Sequence, residues 1–175
     1  MSRAVLVVML LAVLVGCGGN ENPEKYLQEG VAYFQKQQYD QAIASYERAV
    51  ACDRQDARLY TELDHLYEMG NAPLQKRLAL LEENHQTVIS RNDSFLRRIM
   101  VLVLVGRYDE AIGFLSNNHF HVREGGGEIH DVYVDAHLLR GLLHLKDNRF
   151  KEALLEKKEF IYTLELVPGR GSRGK

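Results

Sequence analysis

Three short segments of this 175-residue chain repeat one another. They read QQYDQAI at 37–43, GRYDEAI at 106–112 and NRFKEAL at 148–154, and each places an aromatic residue three positions before an alanine. The alanines are separated by 69 residues, close to twice 34, and then by 42, which is 34 with an insertion of eight. The glycine-rich residues 121–128 are the natural place for that insertion. A period of this length is typical of solenoids, so the chain is predicted to stack repeated units.

Aromatic and small residues alternate at helical spacing in the first unit, over positions 23–56: Tyr26, Gly30, Tyr33, Ala42, Tyr46 and Ala49. This series resembles the tetratricopeptide repeat (TPR), whose period is about 34 residues. The resemblance implies two antiparallel helices in each repeat, which cross closely where both carry small side chains. It implies an all-α fold, an α-solenoid of about four antiparallel helix pairs.

The later units follow the pattern less closely. The second unit carries Tyr60, Leu63 and Tyr67 but then departs from it, and we predict that its second helix runs from about Pro73 to Ile89, because proline suits the first turn of a helix. The β-branched run at 99–105 could be a strand by periodicity alone, but its place in the third unit favours a buried helix. The third and fourth units are recognised by Phe95, Leu102, Gly106, Tyr108, Ala111 and Leu115, and by Gly141, Leu145, Phe150 and Ala153.

Near the start of the chain, one basic residue, Arg3, is followed by an apolar run over residues 4–15. Twelve apolar residues are too few to span a membrane but suit the hydrophobic region of a secretory signal. The sequence Leu14-Val15-Gly16-Cys17 that follows resembles the bacterial lipobox. That resemblance implies a lipid on the Cys17 thiol and cleavage just before it; the alternative is an ordinary signal peptide with a chance cysteine.

The resulting domain prediction has four parts: a lipoprotein signal peptide at 1–16, a lipidated tether at 17–22, a TPR-like helical repeat domain at 23–166 and a flexible tail at 167–175. The residue after the cysteine is Gly18 rather than aspartate, which by resemblance implies the periplasmic face of an outer membrane, or the outer face of a Gram-positive membrane. The net charge of −2 provides no basic patch for nucleic acid.

Helical solenoids of this kind form a concave groove, and in the resembling family the first helix of each repeat lines it. The lysine and asparagine that some members use to clamp a terminal carboxylate are replaced here by Leu27, Val31, Thr61 and His65. That binding mode is therefore not expected. The groove is predicted to be apolar towards its C-terminal half, which suits an amphipathic helix or a hydrophobic peptide, and the alternative is that the same residues pack against neighbouring helices. The partner-binding residues carried over from the family are Leu27, Val31, Phe34, Arg58, His65, Met69, Leu96, Met100, Leu138 and Leu142.

The sequence predicts no enzyme and no cofactor. It has no glycine-rich phosphate loop and no cysteine pair spaced for a metal. One histidine group could in principle hold zinc, but it falls on the glycine-rich loop and is better interpreted as polar surface. Its members are His119, His121, Glu124, His130 and Asp131.

Two function hypotheses follow. The first is a lipid-anchored scaffold that binds a protein or peptide at the bacterial cell envelope. The second is a truncated or accessory repeat module of a larger envelope enzyme or carbohydrate-handling protein, because residues 119–168 resemble the repeat region that ends some large bacterial multidomain proteins. The last helix carries Phe160 and Leu164 before the Gly- and Arg-rich tail, so we also expect an open apolar edge there, available to a partner or to self-association.

Overall fold

A computed structural model describes residues 22–118 and 127–165 of the chain, with side chains over 22–118 and 129–159. The regular structure of these residues is helical throughout, without a strand. The helices are α1 (Pro23–Gln35), α2 (Tyr39–Cys52), α3 (Ala57–Met69), α4 (Leu74–Glu83), α5 (His85–Ile89), α6 (Asn92–Leu104), α7 (Tyr108–Asn117), α8 (Gly127–Lys146) and α9 (Phe150–Glu165).

The helices form four consecutive pairs: α1 with α2, α3 with α4, α6 with α7 and α8 with α9. Each pair packs on the next, since α3 contacts both α2 and α6, and α8 contacts both α6 and α7. The predicted α-solenoid of four helix pairs is confirmed. The short helix α5 is additional to the eight helices expected from the sequence.

The predicted single helix from about Pro73 to Ile89 is wrong, because Asn84 divides it. The backbone of Asn84 leaves the helical region, with φ −110° and ψ 31°. Its side-chain amide donates to the carbonyl of Leu80 at 2.7 Å and its carbonyl oxygen accepts from the Tyr60 hydroxyl at 3.1 Å. Asparagine side chains commonly form such hydrogen bonds with nearby groups, and these compete with the hydrogen bonds of a continuous helix. Pro73 lies just before the first helical residue, Leu74.

One residue of each repeat has a left-handed backbone, and it lies in the turn between the two helices of the pair. These residues are Gln37, Asn71, Gly106 and Asn148, with φ of 58°, 54°, 84° and 58°. This conformation commonly ends a helix, because it lets backbone N–H groups reach the last open carbonyls. In the first turn, Gln37 N–H donates to the carbonyl of Phe34 at 2.8 Å. The four turns therefore mark the repeat register directly.

Small residues lie where the helices of a pair cross. Ala42, Ala49 and Ala111 are fully buried. A β-carbon built on Gly30 would come 2.5 Å from Cδ2 of Tyr46, so the α1–α2 crossing leaves room for glycine alone. The β-branched run at 99–105 belongs to α6, and Ile99, Val101 and Leu102 are fully buried within it. The predicted helix is confirmed, but full burial of the run is wrong, because Leu104 is 53% exposed.

Candidate functional site

The residues predicted to line a groove do not share one environment. Five of the ten are exposed apolar side chains: Val31, Phe34 and Met69 at 43%, 37% and 41% exposure, and Leu138 and Leu142 at 45% and 52%. Arg58 and His65 are also exposed, whereas Leu27 and Met100 are half-buried. Leu96 departs from the prediction: it is 7% exposed and belongs to the core.

Leu96 is buried because α8 packs against α6. Its cluster includes Phe95 and Ile99 from α6 together with Val132 and Ala136 from α8. Met100 lies against the same cluster. The α6 section of the predicted groove is therefore largely helix-packing surface, which is the alternative that the sequence left open.

The first two repeats form a small cleft of about 310 Å³. Phe34 lies on one side and His65 on the other, with the ring centroids 6.3 Å apart in an edge-to-face arrangement. The hydroxyl of Thr61 is buried in this region without a hydrogen-bond partner. The full lining is Phe34, Tyr46, Thr61, Glu62, His65 and Leu66, so three of the groove positions carried over from the resembling family meet here.

The polar chemistry of this cleft is defined by Tyr46 and Glu62. The Tyr46 hydroxyl donates to the Glu62 carboxylate, and burial together with this hydrogen bond raises the pKa of Tyr46 above its ordinary value. Glu62 is exposed and presents its negative charge beside the apolar surface of Phe34 and Leu66. The cleft can thus accept an apolar side chain and pair with a neighbouring cation.

Comparisons with known proteins agree with this architecture. Residues 30–70 match the protein family described as "TPR repeat", a segment that contains α2, α3 and all the residues that line the small cleft. The fold is a TPR-like solenoid. One similar solved structure is titled "TPR2B-domain:pHsp70-complex of yeast Sti1"; it is 20% identical with a TM-score of 0.54, over 65% of this chain and 94% of that chain. Another, titled "MamA AMB-1", is 20% identical with a TM-score of 0.56, over 87% of this chain and 79% of that chain.

The second helix pair contains an ionic network that is not predicted by the repeat pattern of the sequence. Asp64 occupies the position of Gly30, one repeat later, and is fully buried. It accepts hydrogen bonds from Arg77 on α4 at 2.8 and 2.9 Å and from Arg97 on α6 at 2.6 Å. Glu68 accepts from Arg97 at 2.8 Å. The network joins α3, α4 and α6, and it explains why the second unit departs from the family pattern.

A second cleft, of about 450 Å³, lies between α8 and α9. Apolar residues dominate its lining, which is His137, Leu138, Gly141, Leu142, Leu145, Phe150, Ala153, Leu154, Glu156 and Lys157. We name it the α8–α9 cleft. Leu138 and Leu142, two of the predicted groove residues, open here rather than beside Phe34.

A histidine and a glutamate, His137 and Glu156, meet in the α8–α9 cleft, as the acid and base of a catalytic site would. Nδ1 of His137 lies 2.6 Å from the carboxylate of Glu156, and Nη2 of Arg140 donates to the same carboxylate at 2.9 Å. Although burial opposes its charge, the hydrogen bond with Glu156 raises the pKa of Arg140. The lining contains no serine, threonine or cysteine. The cluster therefore fixes α8 to α9, and no nucleophile stands beside it.

The predicted histidine group falls mostly on residues 119–126, which lie outside the described part of the chain, as do Cys17 and the segments 1–16 and 167–175. His130 is half-buried and Asp131 is exposed on α8. Over the described ranges, no group of three histidine, cysteine or acidic side chains is arranged to hold a metal ion. Among the helices described, none combines the length and hydropathy needed to cross a membrane.

Proposed function

We propose that this chain is a lipid-anchored TPR scaffold that binds a protein or peptide partner at the bacterial cell envelope. The observation that carries the binding proposal is the cleft between α1 and α3. It combines the exposed aromatic ring of Phe34 with the exposed carboxylate of Glu62. A ligand can cover the ring and pair a cation with the carboxylate at the same time.

The similar fold of the yeast Sti1 TPR2B domain supports this proposal, since its title describes a complex with pHsp70. In this chain the cleft chemistry favours a partner segment with an apolar side chain next to a basic one. The apolar group would cover Phe34 and Leu66, and the basic group would pair with Glu62. Such a segment fits a site that is mainly apolar, with a few polar groups that fix orientation.

The test is co-purification of partners from crosslinked envelope extracts with the full chain as bait. Phe34→Ala and Glu62→Ala should each reduce the recovery of the partner, because they remove the apolar surface and the charge of the cleft. Ile89→Ala is the matched control, since Ile89 is a similarly exposed apolar residue on α5, at 38% exposure. Equal recovery with Phe34→Ala and Ile89→Ala would contradict binding in this cleft.

The membrane anchor rests on the sequence Leu14-Val15-Gly16-Cys17. A lipid with more than one chain would give stable anchoring, whereas a single chain gives only marginal binding. Cys17→Ala should abolish incorporation of a clickable fatty acid and release the protein from membranes. Cys52→Ala is the control and should retain the label. Undiminished label in Cys17→Ala would contradict lipidation at this residue.

A second measurement bears on the same proposal through Cys52. The sequence has two cysteines, Cys17 and Cys52. A lipid on the thiol of Cys17 and a disulfide within the chain therefore exclude each other. Intact-protein mass spectrometry after alkylation without reductant separates the two states. Lipid mass together with alkylation of Cys52 supports the anchor, and resistance to alkylation without lipid mass contradicts it.

A further inference from the structure

The fourth helix pair reproduces the first, residue by residue, at a constant spacing of 111 positions. Gln37 and Asn148 are the left-handed turn residues, both with φ of 58°. Glycines stand at the two helix crossings, where a β-carbon on Gly30 would meet Tyr46 and a β-carbon on Gly141 would come 3.1 Å from Cβ of Glu156. The surfaces of the two pairs can therefore be compared position by position.

This comparison shows what kind of surface the α8–α9 cleft is. Its residues Leu138, Ala153 and Leu154 correspond to Leu27, Ala42 and Ile43 in the first pair. In the first pair those three residues pack in one cluster with the α3 side chains Leu63, Leu66 and Tyr67. The α8–α9 cleft is therefore equivalent to the surface of the first pair on which α3 packs. We call this surface of a helix pair, on which the next helix packs, the seat.

Exposure confirms that the described helices leave this seat open. Leu138 is 45% exposed, whereas its equivalent in the third pair, Leu96, is 7% exposed. Leu145 is 47% exposed, whereas its equivalent Val103 is 6% exposed. The third pair is covered because α8 lies on it, and α9 contacts only α8 among the described helices. Phe150 and Leu154 complete the open surface, at 64% and 55% exposure.

The charge at the edge of the seat is reversed between the two pairs. In the first pair, Glu47 accepts from the hydroxyl of Tyr67 at 2.7 Å and from Nζ of Lys76 at 2.9 Å, both on the incoming helix pair. In the fourth pair the equivalent of Glu47 is Lys158, and the equivalent of Tyr46 is Lys157. A helix bearing a lysine at the place of Lys76 would be repelled here, and one bearing an acid would be attracted.

The other charged side chains around the seat do not cancel the positive charge of Lys157 and Lys158. Lys146 is exposed at the end of the Leu138–Leu142–Leu145 row, and Lys157 lines the cleft itself. Glu156 is paired with His137 and Arg140 at the base of the cleft. Asp135 is exposed one turn before Leu138, at the opposite end of the row from Lys146. Glu152 is exposed beside Phe150 and Leu154, so the three lysines Lys146, Lys157 and Lys158 outnumber the two exposed acids Asp135 and Glu152 around the seat.

We propose that the α8–α9 cleft binds an amphipathic helix of a partner protein, with apolar residues at helical spacing and glutamate or aspartate on its flanks. The helix would lie on the seat as α3 lies on the first pair, and its acids would pair with Lys157 and Lys158. The terminal segments of this chain are poor candidates, since residues 1–20 contain no acid and residues 166–175 contain three basic residues and no acid. This interaction is separate from the cleft at Phe34.

The test uses the full chain in detergent and a fluorescent synthetic helix built from leucine, alanine and glutamate, with leucines at i, i+3, i+4 and i+7. A second peptide replaces each glutamate by lysine. Fluorescence anisotropy should show that the glutamate peptide binds at least ~10-fold more tightly, a difference of about 1.4 kcal/mol. The double variant Lys157→Glu/Lys158→Glu should reverse this preference. Equal affinity for the two peptides, or an unchanged preference in the double variant, would overturn the proposal.

Matched apolar variants locate the binding. Leu154 is 55% exposed in the cleft, whereas its equivalent in the first pair, Ile43, packs against α3. Leu154→Asp should weaken binding of the glutamate peptide at least ~10-fold, while Val31→Asp, at an exposed apolar residue of the first pair, should leave it unchanged. Equal loss in both variants would overturn the proposed site. A dimer that dissociates with Leu154→Asp and excludes the peptide would identify a second copy as the occupant, and would also overturn it.

Discussion

Asp64 and Arg77 form a buried ion pair that links α3 to α4 through two hydrogen bonds. Nε and Nη2 of Arg77 donate to the two carboxylate oxygens of Asp64 at 2.8 and 2.9 Å, and the side chains are 4% and 0% exposed. The equivalent positions of the third repeat are Ile99 and Ile112, which belong to an apolar core cluster. The second repeat thus uses an ion pair where the third uses hydrophobic contact.

This comparison predicts a specific pattern of rescue. Arg77→Ile should lower the free energy of unfolding by about 3–5 kcal/mol, because it removes one of the two arginines that balance the buried charge of Asp64. Adding Asp64→Ile should restore much of the loss, because it recreates the pair found in the third repeat. Urea denaturation followed by circular dichroism measures both effects. A double variant less stable than Arg77→Ile would contradict this account.

The close helix crossings predict a second effect. Ala42 is fully buried against its neighbours in the first repeat, whereas Ala44 is exposed on the same helix. Ala42→Leu should cost about 1–3 kcal/mol through overpacking, and Ala44→Leu should have little effect. Thermal unfolding measured by circular dichroism compares them. Equal melting temperatures for the two variants would contradict the assigned repeat register.

Two glycines should respond in opposite directions to the same substitution. A β-carbon at Gly30 would lie 2.5 Å from the ring of Tyr46, so Gly30→Ala should destabilise the fold by about 1–3 kcal/mol. Nothing lies within 4 Å of a β-carbon at Gly113 in α7, so Gly113→Ala should stabilise by about 0.5–1 kcal/mol through helix propensity. Urea denaturation distinguishes the signs, and a stabilising Gly30→Ala would refute the close crossing.

The repeat period and the small residues were sufficient to predict the helix pairs and their order. Both features are local, because the same spacing of alanines, aromatic residues and turn residues occurs in each unit. Contacts between distant side chains leave no such periodic signal. The Asn84 break depends on Tyr60, and the Asp64 network depends on Arg77 and Arg97, so neither could be found by periodicity. Only the irregularity of the second unit pointed to them.

The residues of the candidate sites could be predicted only in part, because their exposure depends on contacts between helices that are distant in the sequence. Phe34 and His65, two of the positions carried over from the family, are exposed and meet across α1 and α3, while their role in binding stays a prediction. The same positions in later repeats differ, because exposure depends on whether another helix follows. Leu96 is covered by α8, whereas Leu138 remains open in the fourth pair. Residues at equivalent positions of a solenoid therefore lie on the same side of their helix, but they can differ in exposure.

The last prediction concerns the N-terminal caps of α1 and α3, which have the same geometry but different chemistry. The side chain of Asn22 accepts from Glu24 N–H at 3.0 Å, and that of Asp56 accepts from Arg58 N–H at 2.9 Å. Hydrogen bonds with the Arg58 side chain lower the pKa of Asp56 below its ordinary value. The lowered pKa means that the stabilisation by Asp56 is complete above its unfolded pKa of about 3.9, and is lost as the pH falls through the lower, folded value.

At pH 7, Asn22→Ala and Asp56→Ala should each cost about 1 kcal/mol of unfolding free energy, the usual loss for a helix cap. As the pH falls below about 4, the loss caused by Asp56→Ala should become smaller, because protonation removes the part of the stabilisation that depends on the charge of Asp56. The loss caused by Asn22→Ala should stay constant, because an amide does not titrate. Urea denaturation across this pH range tests the pair, and parallel pH profiles for the two variants would show that the charge of Asp56 contributes nothing to capping α3.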